Sequence, residues 1–189
     1  MGAVFEAEHE ALGRRVAIKL LVVDGPVDEQ RGRRFVREAA AASKVAHPHI
    51  VEIFDFDMEN GRPYMVMERL YGESLMERMR SKEPMDPDAI GPILLPVIDA
   101  LAHVHRMGIV HRDVKPHNIF LVHDGTDETA TKVKLLDFGI AKIEESKDET
   151  LTGSNHTPGT PAYMAPEQIS GDAPVGPAAD QYAVATVLY

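Results

Sequence analysis

The chain has 189 residues, of which 44% are hydrophobic, so it is long enough to bury the core of a globular domain. Its formal net charge of −10 repels the phosphates of nucleic acids and anionic lipids, and we therefore expect neither as a partner. The chain contains no cysteine, which excludes disulfides and thiolate metal sites. We see no signal peptide and no apolar run of about 20 residues, so we expect a cytoplasmic location with no membrane segment in this chain.

The first part of the chain predicts two strands followed by a helix. Residues 3–8 and 15–23 are rich in strand-forming residues, and the turn between them falls at Gly13, which predicts an antiparallel hairpin. Residues 28–46 then carry apolar side chains at near-helical spacing until Pro48 ends the pattern.

Two further strands and two helices follow. Residues 50–56 and 63–67 are predicted as a second hairpin because an Asn-Gly turn separates them. From there the pattern becomes helical, with a short helix near 74–82 and a longer one over 86–105. The longer helix starts with a capping aspartate and a proline, but two more prolines lie inside it and predict distortion in its first half.

The last part of the chain alternates loops with short regular elements. A loop over 111–118 leads into predicted strands at 119–122 and 133–136. Residues 144–161 are rich in polar residues with few apolar anchors, which is typical of a flexible, regulatory segment. An apolar helix is predicted from residue 178 onward.

A lysine within the second strand is the first candidate for chemistry. Lys19 ends the run Val16-Ala17-Ile18-Lys19, and an ammonium group among apolar neighbours needs an anionic partner if it is buried. Glu38 on the following helix is a candidate for that partner. A lysine that simply extends to solvent is the ordinary alternative.

The loop over 111–118 holds several charged and polar groups in eight residues. A carboxylate such as Asp113 can accept a hydroxyl proton, Lys115 can neutralise a phosphate, and Asn118 can bind a divalent ion. Asp137 follows an apolar strand and, with Asn118, is a sufficient protein share for Mg²⁺ when substrate phosphates complete its shell. The alternative is a solvated charged loop.

The histidines do not suggest a metal site. His47 and His49 are two residues apart, as are His103 and His105. On a helix that spacing directs neighbouring side chains away from each other, so we expect no chelation by these pairs.

Together, these pieces resemble the signature set of the protein kinase family, in the family's order. Asp180 also resembles the buried aspartate that braces the family's catalytic loop. The matching motifs are Val16-Ala17-Ile18-Lys19, the helix residue Glu38, His111-Arg112-Asp113 with Asn118, Asp137-Phe138-Gly139 and Ala165-Pro166-Glu167.

The resemblance implies an α+β, two-lobed fold with a small β-rich N-lobe and a mainly helical C-lobe. We expect residues 1–189 to be a partial kinase domain, with an N-lobe over 1–70 and an incomplete C-lobe over 71–189, truncated at both ends. The implied activity is transfer of the γ-phosphate of ATP, with Mg²⁺ or Mn²⁺, to serine or threonine hydroxyls of protein substrates. This fragment alone is expected to fold poorly and to have little activity. The chain resembles bacterial members of the family more than animal ones, in its Asp180-Gln181-Tyr182-Ala183 helix and its short alanine-rich first helix.

The resemblance also assigns the groups that hold the phosphates and the metal. Lys19 would hold the α- and β-phosphates and pair with Glu38, while Asn118 and Asp137 would bind the metal. Gly2 would be the last glycine of the phosphate-covering loop, whose first two glycines this chain lacks.

The implied catalytic group comprises Asp113 as the base, Lys115 at the γ-phosphate, Asn118, and Thr160 in contact with Asp113 and Lys115. The remaining assignments form the adenine pocket, where an ordinary apolar core is the alternative for the nonpolar positions. They are Val4, Ala17, Met67, Glu68, Leu70 and Phe120.

Acceptor class and regulation follow from local choices. Lys115 and the run Gly159-Thr160-Pro161-Ala162-Tyr163 resemble serine/threonine kinases. Kinases with an arginine at Arg112 commonly need a phosphate on the activation segment to order it. We expect autophosphorylation there, for which a homodimer would bring two copies together. The candidate acceptors are Thr150, Thr152, Ser154 and Thr157.

Two alternatives stay open from the residues alone. A pseudokinase, acting as a binding or scaffolding module, would keep the fold without the chemistry. A small-molecule phosphotransferase of related fold would use the same aspartates and asparagine. The intact polar residues argue against the first, and the Ala165-Pro166-Glu167 segment argues against the second.

Overall fold

The computed structural model describes residues 3–10, 13–20, 45–59, 62–81, 85–123, 132–137 and 161–189. Most of the predicted helix over 28–46 lies outside these ranges. Residues 45 and 46, the part of it that is described, are not helical.

The N-terminal part is a four-stranded antiparallel sheet. Its strands are β1 (Ala3–His9), β2 (Arg14–Leu20), β3 (Ile53–Glu59) and β4 (Arg62–Glu68), in the order β1-β2-β4-β3. Both predicted hairpins are confirmed, and the first turns at Gly13, whose φ of 57° is in the left-handed region that glycine tolerates.

A second sheet has three antiparallel strands: β5 (Gly72–Ser74), β6 (Ile119–Val122) and β7 (Lys132–Leu135), in that order. The last two were predicted, whereas β5 is three residues long and was not. Gly72 has a φ of 144°, and a Cβ atom there would overlap the carbonyl oxygen of Leu121. The close approach of the two strands therefore requires glycine at this position.

Two helices follow the sequence signals at their N-termini. In α1 (Leu75–Arg80), the Ser74 hydroxyl and the Glu77 carboxylate cap each other's backbone amides. In α2 (Pro87–Arg106), Asp86 accepts a hydrogen bond from the amide of Asp88. The helix runs unbroken through both internal prolines.

The inner face of α2 forms much of the core, which offsets the backbone hydrogen bonds that its prolines remove. The helix is long and apolar enough, with a mean hydropathy of 1.3, to meet the length and composition of a membrane span, contrary to the expectation of no such run. It packs against β7, however, as a core helix of a globular domain does. Its buried residues are Ile93, Leu94, Val97, Ala100, Leu101 and Val104.

The C-terminal part also contains α3 (Pro166–Ser170) and α4 (Pro177–Leu188), and α4 packs against α2. The two sheets meet where Ile50 pairs with Leu135 and the Val51 amide donates to the Leu135 carbonyl at 3.0 Å. The described elements thus form a β-rich N-terminal part and a mainly helical C-terminal part. The predicted α+β, two-lobed fold is confirmed.

Candidate active site

The loop after α2 gathers the predicted catalytic groups. Lys115 Nζ lies 2.8 Å from Asp113 Oδ2, and Asn118 Nδ2 donates to Asp113 Oδ2 at 3.0 Å and to the Asp113 carbonyl at 2.8 Å. Since the amide nitrogen of Asn118 makes both bonds, its oxygen is the polar atom left for a metal. Asn118 is itself 5% exposed, which fixes it against the loop.

Asp180 on α4 holds this loop in place through hydrogen bonds. Its Oδ2 accepts hydrogen bonds from the amide of His111 (2.8 Å) and from His105 Nε2 (2.7 Å), and its Oδ1 accepts from the amide of Arg112 (2.8 Å). Arg112 has a φ of 65°, a strained conformation for a side-chain-bearing residue. The hydrogen bonds of the buried Asp180 carboxylate therefore offset the strain at Arg112, whose conformation directs the next residue, Asp113, toward the site.

His111 joins the loop to the strand that ends before Asp137. Its Nε2 donates to the carbonyl of Leu136 at 2.9 Å, so its Nδ1 is the acceptor for the amide of Asp113 at 3.3 Å. Burial lowers the pKa of this imidazole from 6.5, which keeps it in the neutral form that both bonds require.

Lys19 and Asp137 meet at one end of a cavity. The Lys19 ammonium contacts the Asp137 carboxylate directly, and Asp137 has a φ of 51°. The sequence indicated Glu38 as a partner of Lys19, and that pairing stays a prediction because Glu38 lies outside the described residues. The direct contact gives this end of the cavity one cation and one anion, suited to phosphates and a metal respectively.

The cavity has a volume of about 360 Å³ and lies between the N-terminal sheet and the second sheet. Val4 is opposite Lys19 in the sheet register, and Ala17 is opposite Met67, so adjacent strands supply its roof. All the described residues that we assigned to an ATP site line it. Arg69, which lies within the predicted adenine-binding segment 68–70, lines it too. The sequence did not indicate four others: Phe5, Glu6, Val51 and Leu136.

A second ion pair, which the sequence did not indicate, fixes the end of β4. Lys134 contacts the Glu68 carboxylate and donates to the Ile50 carbonyl at 3.2 Å. The same carboxylate oxygen accepts the Glu52 amide at 2.8 Å. The pair connects β7 to the segment that borders the cavity, and no local pattern marks it because its members are 66 residues apart.

The segment around Ala165 also reaches the catalytic loop. Gln168 accepts from the amide of Ala165 at 3.2 Å and donates to the carbonyl of Arg112 at 2.9 Å. The Arg112 Nε is buried and has no hydrogen-bond partner among the described residues. A buried guanidinium donor of this kind can bind an anion.

The remaining predicted site residues lie outside the described part of the chain, and their roles stay predictions. They are Gly2, Glu38, Thr150, Thr152, Ser154, Thr157 and Thr160. Over the described ranges, no three histidine, aspartate or glutamate side chains form a group that could hold a metal ion by themselves.

The chain is similar to known proteins in both sequence and structure. The sequence profile of the protein kinase domain matches residues 1–189. The serine/threonine-protein kinase Pkn1 of Myxococcus xanthus is 42% identical over 189 residues, which cover all of this chain and 26% of Pkn1, so the chain spans about a quarter of that relative. The crystal structure of the Mycobacterium tuberculosis PknI kinase domain matches with a TM-score of 0.77 and 31% identity, over all of this chain and 67% of that one. Rad53 1-466, solved in complex with AMP-PNP, matches with a TM-score of 0.74 and 27% identity, over all of this chain and 43% of Rad53.

Proposed function

Since this chain belongs to the protein kinase domain family, we propose that it is part of a catalytic domain that transfers the γ-phosphate of ATP to serine or threonine hydroxyls of proteins. We divide it into an N-lobe over 1–70 and an incomplete C-lobe over 71–189. The observation that carries the proposal is the convergence of Lys115 and Asn118 on Asp113 beside a cavity that ends in Lys19 and Asp137.

The family uses ATP and a divalent metal, and the residues here fit both. The AMP-PNP bound to Rad53 supports a nucleotide in the corresponding cavity. The side-chain oxygens of Asn118 and Asp137 would hold Mg²⁺, because this ion prefers hard oxygen ligands. Mn²⁺ would be a substitute at the same site. The bound ion would neutralise charge on the phosphates.

The side chains of this chain divide the reaction between them. The Asp113 carboxylate would orient the acceptor hydroxyl and accept its proton as the oxygen attacks phosphorus. Lys115 is 2.8 Å from that carboxylate, so its charge would also offset the negative charge of the γ-phosphate oxygens. Lys19 would hold the α- and β-phosphates at the closed end of the cavity. Thr160 would contact Asp113 and Lys115 from the acceptor side.

Regulation by phosphorylation is consistent with the unpartnered Nε of Arg112. A phosphate on Thr150, Thr152, Ser154 or Thr157 would supply an anion for this guanidinium. Mass spectrometry of the active full-length protein tests this, and finding no phosphate between residues 144 and 160 would contradict it. A homodimer formed during autophosphorylation and a cytoplasmic location of this domain are part of the same proposal.

The decisive assay uses full-length protein and γ-labelled ATP with a mixture of protein acceptors. We expect label on serine and threonine, its loss in Asp113→Ala, and unchanged transfer in Asp172→Ala, which removes an exposed carboxylate of the same lobe. Nucleotide binding without any transfer by the wild type would instead identify a pseudokinase. Transfer only to small molecules would identify a phosphotransferase of related fold.

A further inference from the structure

An ion pair in the lining of the cavity joins β1 to the segment just after β4. Arg69, just after β4, places its Nη2 3.3 Å from Glu6 Oε2 on β1, and both residues line the cavity. Strand β2 lies between β1 and β4. In the sheet register, Glu6, Ala17 and Met67 are opposite one another, so their side chains share the face that borders the cavity.

Both members of this pair are held in place by other contacts. The second oxygen of Glu6 lies 3.1 Å from Arg15 Nη1, so one carboxylate joins two guanidinium groups. The Arg69 guanidinium stacks over the Tyr71 ring at 4.2 Å and also donates to the Leu70 carbonyl. These contacts reduce the entropy that two long side chains lose when they meet, which is the usual reason that surface pairs are weak.

The pair sits at the open side of the cavity. The side chain of Arg69 is 28% exposed and that of Glu6 is 44% exposed, whereas Lys19 at the other end is 15% exposed. A ligand that enters or leaves between β1 and the segment after β4 must therefore pass this contact. Separating β1 from that segment requires the contact to break.

We propose that Glu6 and Arg69 form a strap across the mouth of the cavity that slows nucleotide release. This rests on the proposed function, in which the cavity holds the nucleotide. The two are positioning residues, because they hold β1 over the cavity and are not needed for phosphoryl transfer itself. Exposed ion pairs of this kind are weak, so breaking the strap is expected to speed release by about two- to fivefold.

The test is release of N-methylanthraniloyl-ADP from the full-length protein, measured by stopped flow after mixing with excess unlabelled ATP in the presence of Mg²⁺. Arg69→Ala and Glu6→Gln are expected to release it about two- to fivefold faster, and the double variant no faster than either single one. Added salt should speed release from the wild type more than from the variants, because the variants lack the ion pair that salt screens. In steady state, KM for ATP should rise while kcat does not fall.

Arg14→Ala is the matched control. Arg14 is the first residue of β2 and likewise pairs with an exposed glutamate, Glu52, at 3.9 Å, but it does not line the cavity. Release from this variant should match the wild type.

Nucleotide that binds the wild type and leaves all variants at the same rate would overturn the strap and leave the proposed function standing. Additive effects of the two substitutions would also overturn it. No binding of the labelled ADP by the wild type would overturn both proposals.

Discussion

Replacing Asp180 with asparagine tests how the catalytic loop is held. The carboxylate is 1% exposed and accepts three hydrogen bonds, from the amides of His111 and Arg112 and from His105, at 2.7–2.8 Å. Asparagine preserves the size of the side chain but replaces one acceptor oxygen with an NH₂ group. In either orientation of the asparagine amide, its NH₂ group faces a backbone N–H of His111 or Arg112. An NH₂ group is a donor and cannot accept that hydrogen bond.

The expected loss follows from the bonds involved. A hydrogen bond to a charged group contributes about 1.5–3 kcal/mol, and a buried donor left without a partner costs a further 1–3 kcal/mol or so. We therefore expect Asp180→Asn to lower the free energy of unfolding by about 2–4 kcal/mol. The left-handed conformation of Arg112 would relax, which displaces Asp113, and a shift of about 1 Å can reduce kcat about a hundredfold.

Urea unfolding followed by circular dichroism measures the first effect, and labelled phosphate transfer by full-length protein measures the second. Asp172→Asn changes an exposed carboxylate of the same lobe and should alter neither quantity. If Asp180→Asn were as stable and as active as the wild type, the proposed bracing of the loop would be refuted.

Three further predictions concern other contacts of the site. Burial lowers the pKa of His111 from 6.5, so below that pH the unfolded chain takes up a proton that the folded chain does not. Urea unfolding should therefore show a free energy of unfolding that falls as the pH drops below 6.5, and a flat profile would contradict this. Gly72→Ala should lower the free energy of unfolding by about 2 kcal/mol or more, because its Cβ would overlap the Leu121 carbonyl; an unchanged melting temperature would contradict that contact. Lys134→Met should lower the free energy of unfolding by about 1–2 kcal/mol, and it should raise KM for ATP because Glu68 at the cavity edge loses its partner. Calorimetry measures the first change and kinetics at varied ATP concentration the second, and no change in either would contradict the importance of the pair.

The sequence predicted most of the elements that local patterns encode. Both hairpins and the long helix carry turn, capping and periodicity signals within a few residues of each other, and all three are confirmed. The predicted catalytic groups are also close in sequence, since Asp113, Lys115 and Asn118 lie in one loop. Their closeness in space follows largely from their closeness in sequence.

Contacts between distant segments were not predictable in the same way. The pairs Lys134–Glu68 and Arg69–Glu6 join residues 66 and 63 positions apart, and no periodicity relates their members. Strand β5 has only three residues, Gly-Glu-Ser, too few for an alternating pattern to be recognised. Its position depends on pairing with β6, which is a tertiary effect.

The histidines show where a spacing rule was applied outside its range. We expected residues two apart to face away from each other, which holds for helices. The segment over 45–49 is not helical, and His47 lies 5.7 Å from His49 and 5.1 Å from His103 between ring centroids. The His47 Nδ1 accepts the amide of His49, and its Nε2 lies 3.3 Å from Asp99. The cluster thus connects an irregular segment to α2.

The most direct test is a crystal structure of the full-length protein with Mg²⁺ and AMP-PNP. We predict that the adenine lies in the cavity beside Ala17, that Lys19 contacts the phosphates, and that the ion is held by Asp137 and Asn118 with the γ-phosphate facing Asp113. A nucleotide bound elsewhere, or an ion held by other side chains, would contradict the account.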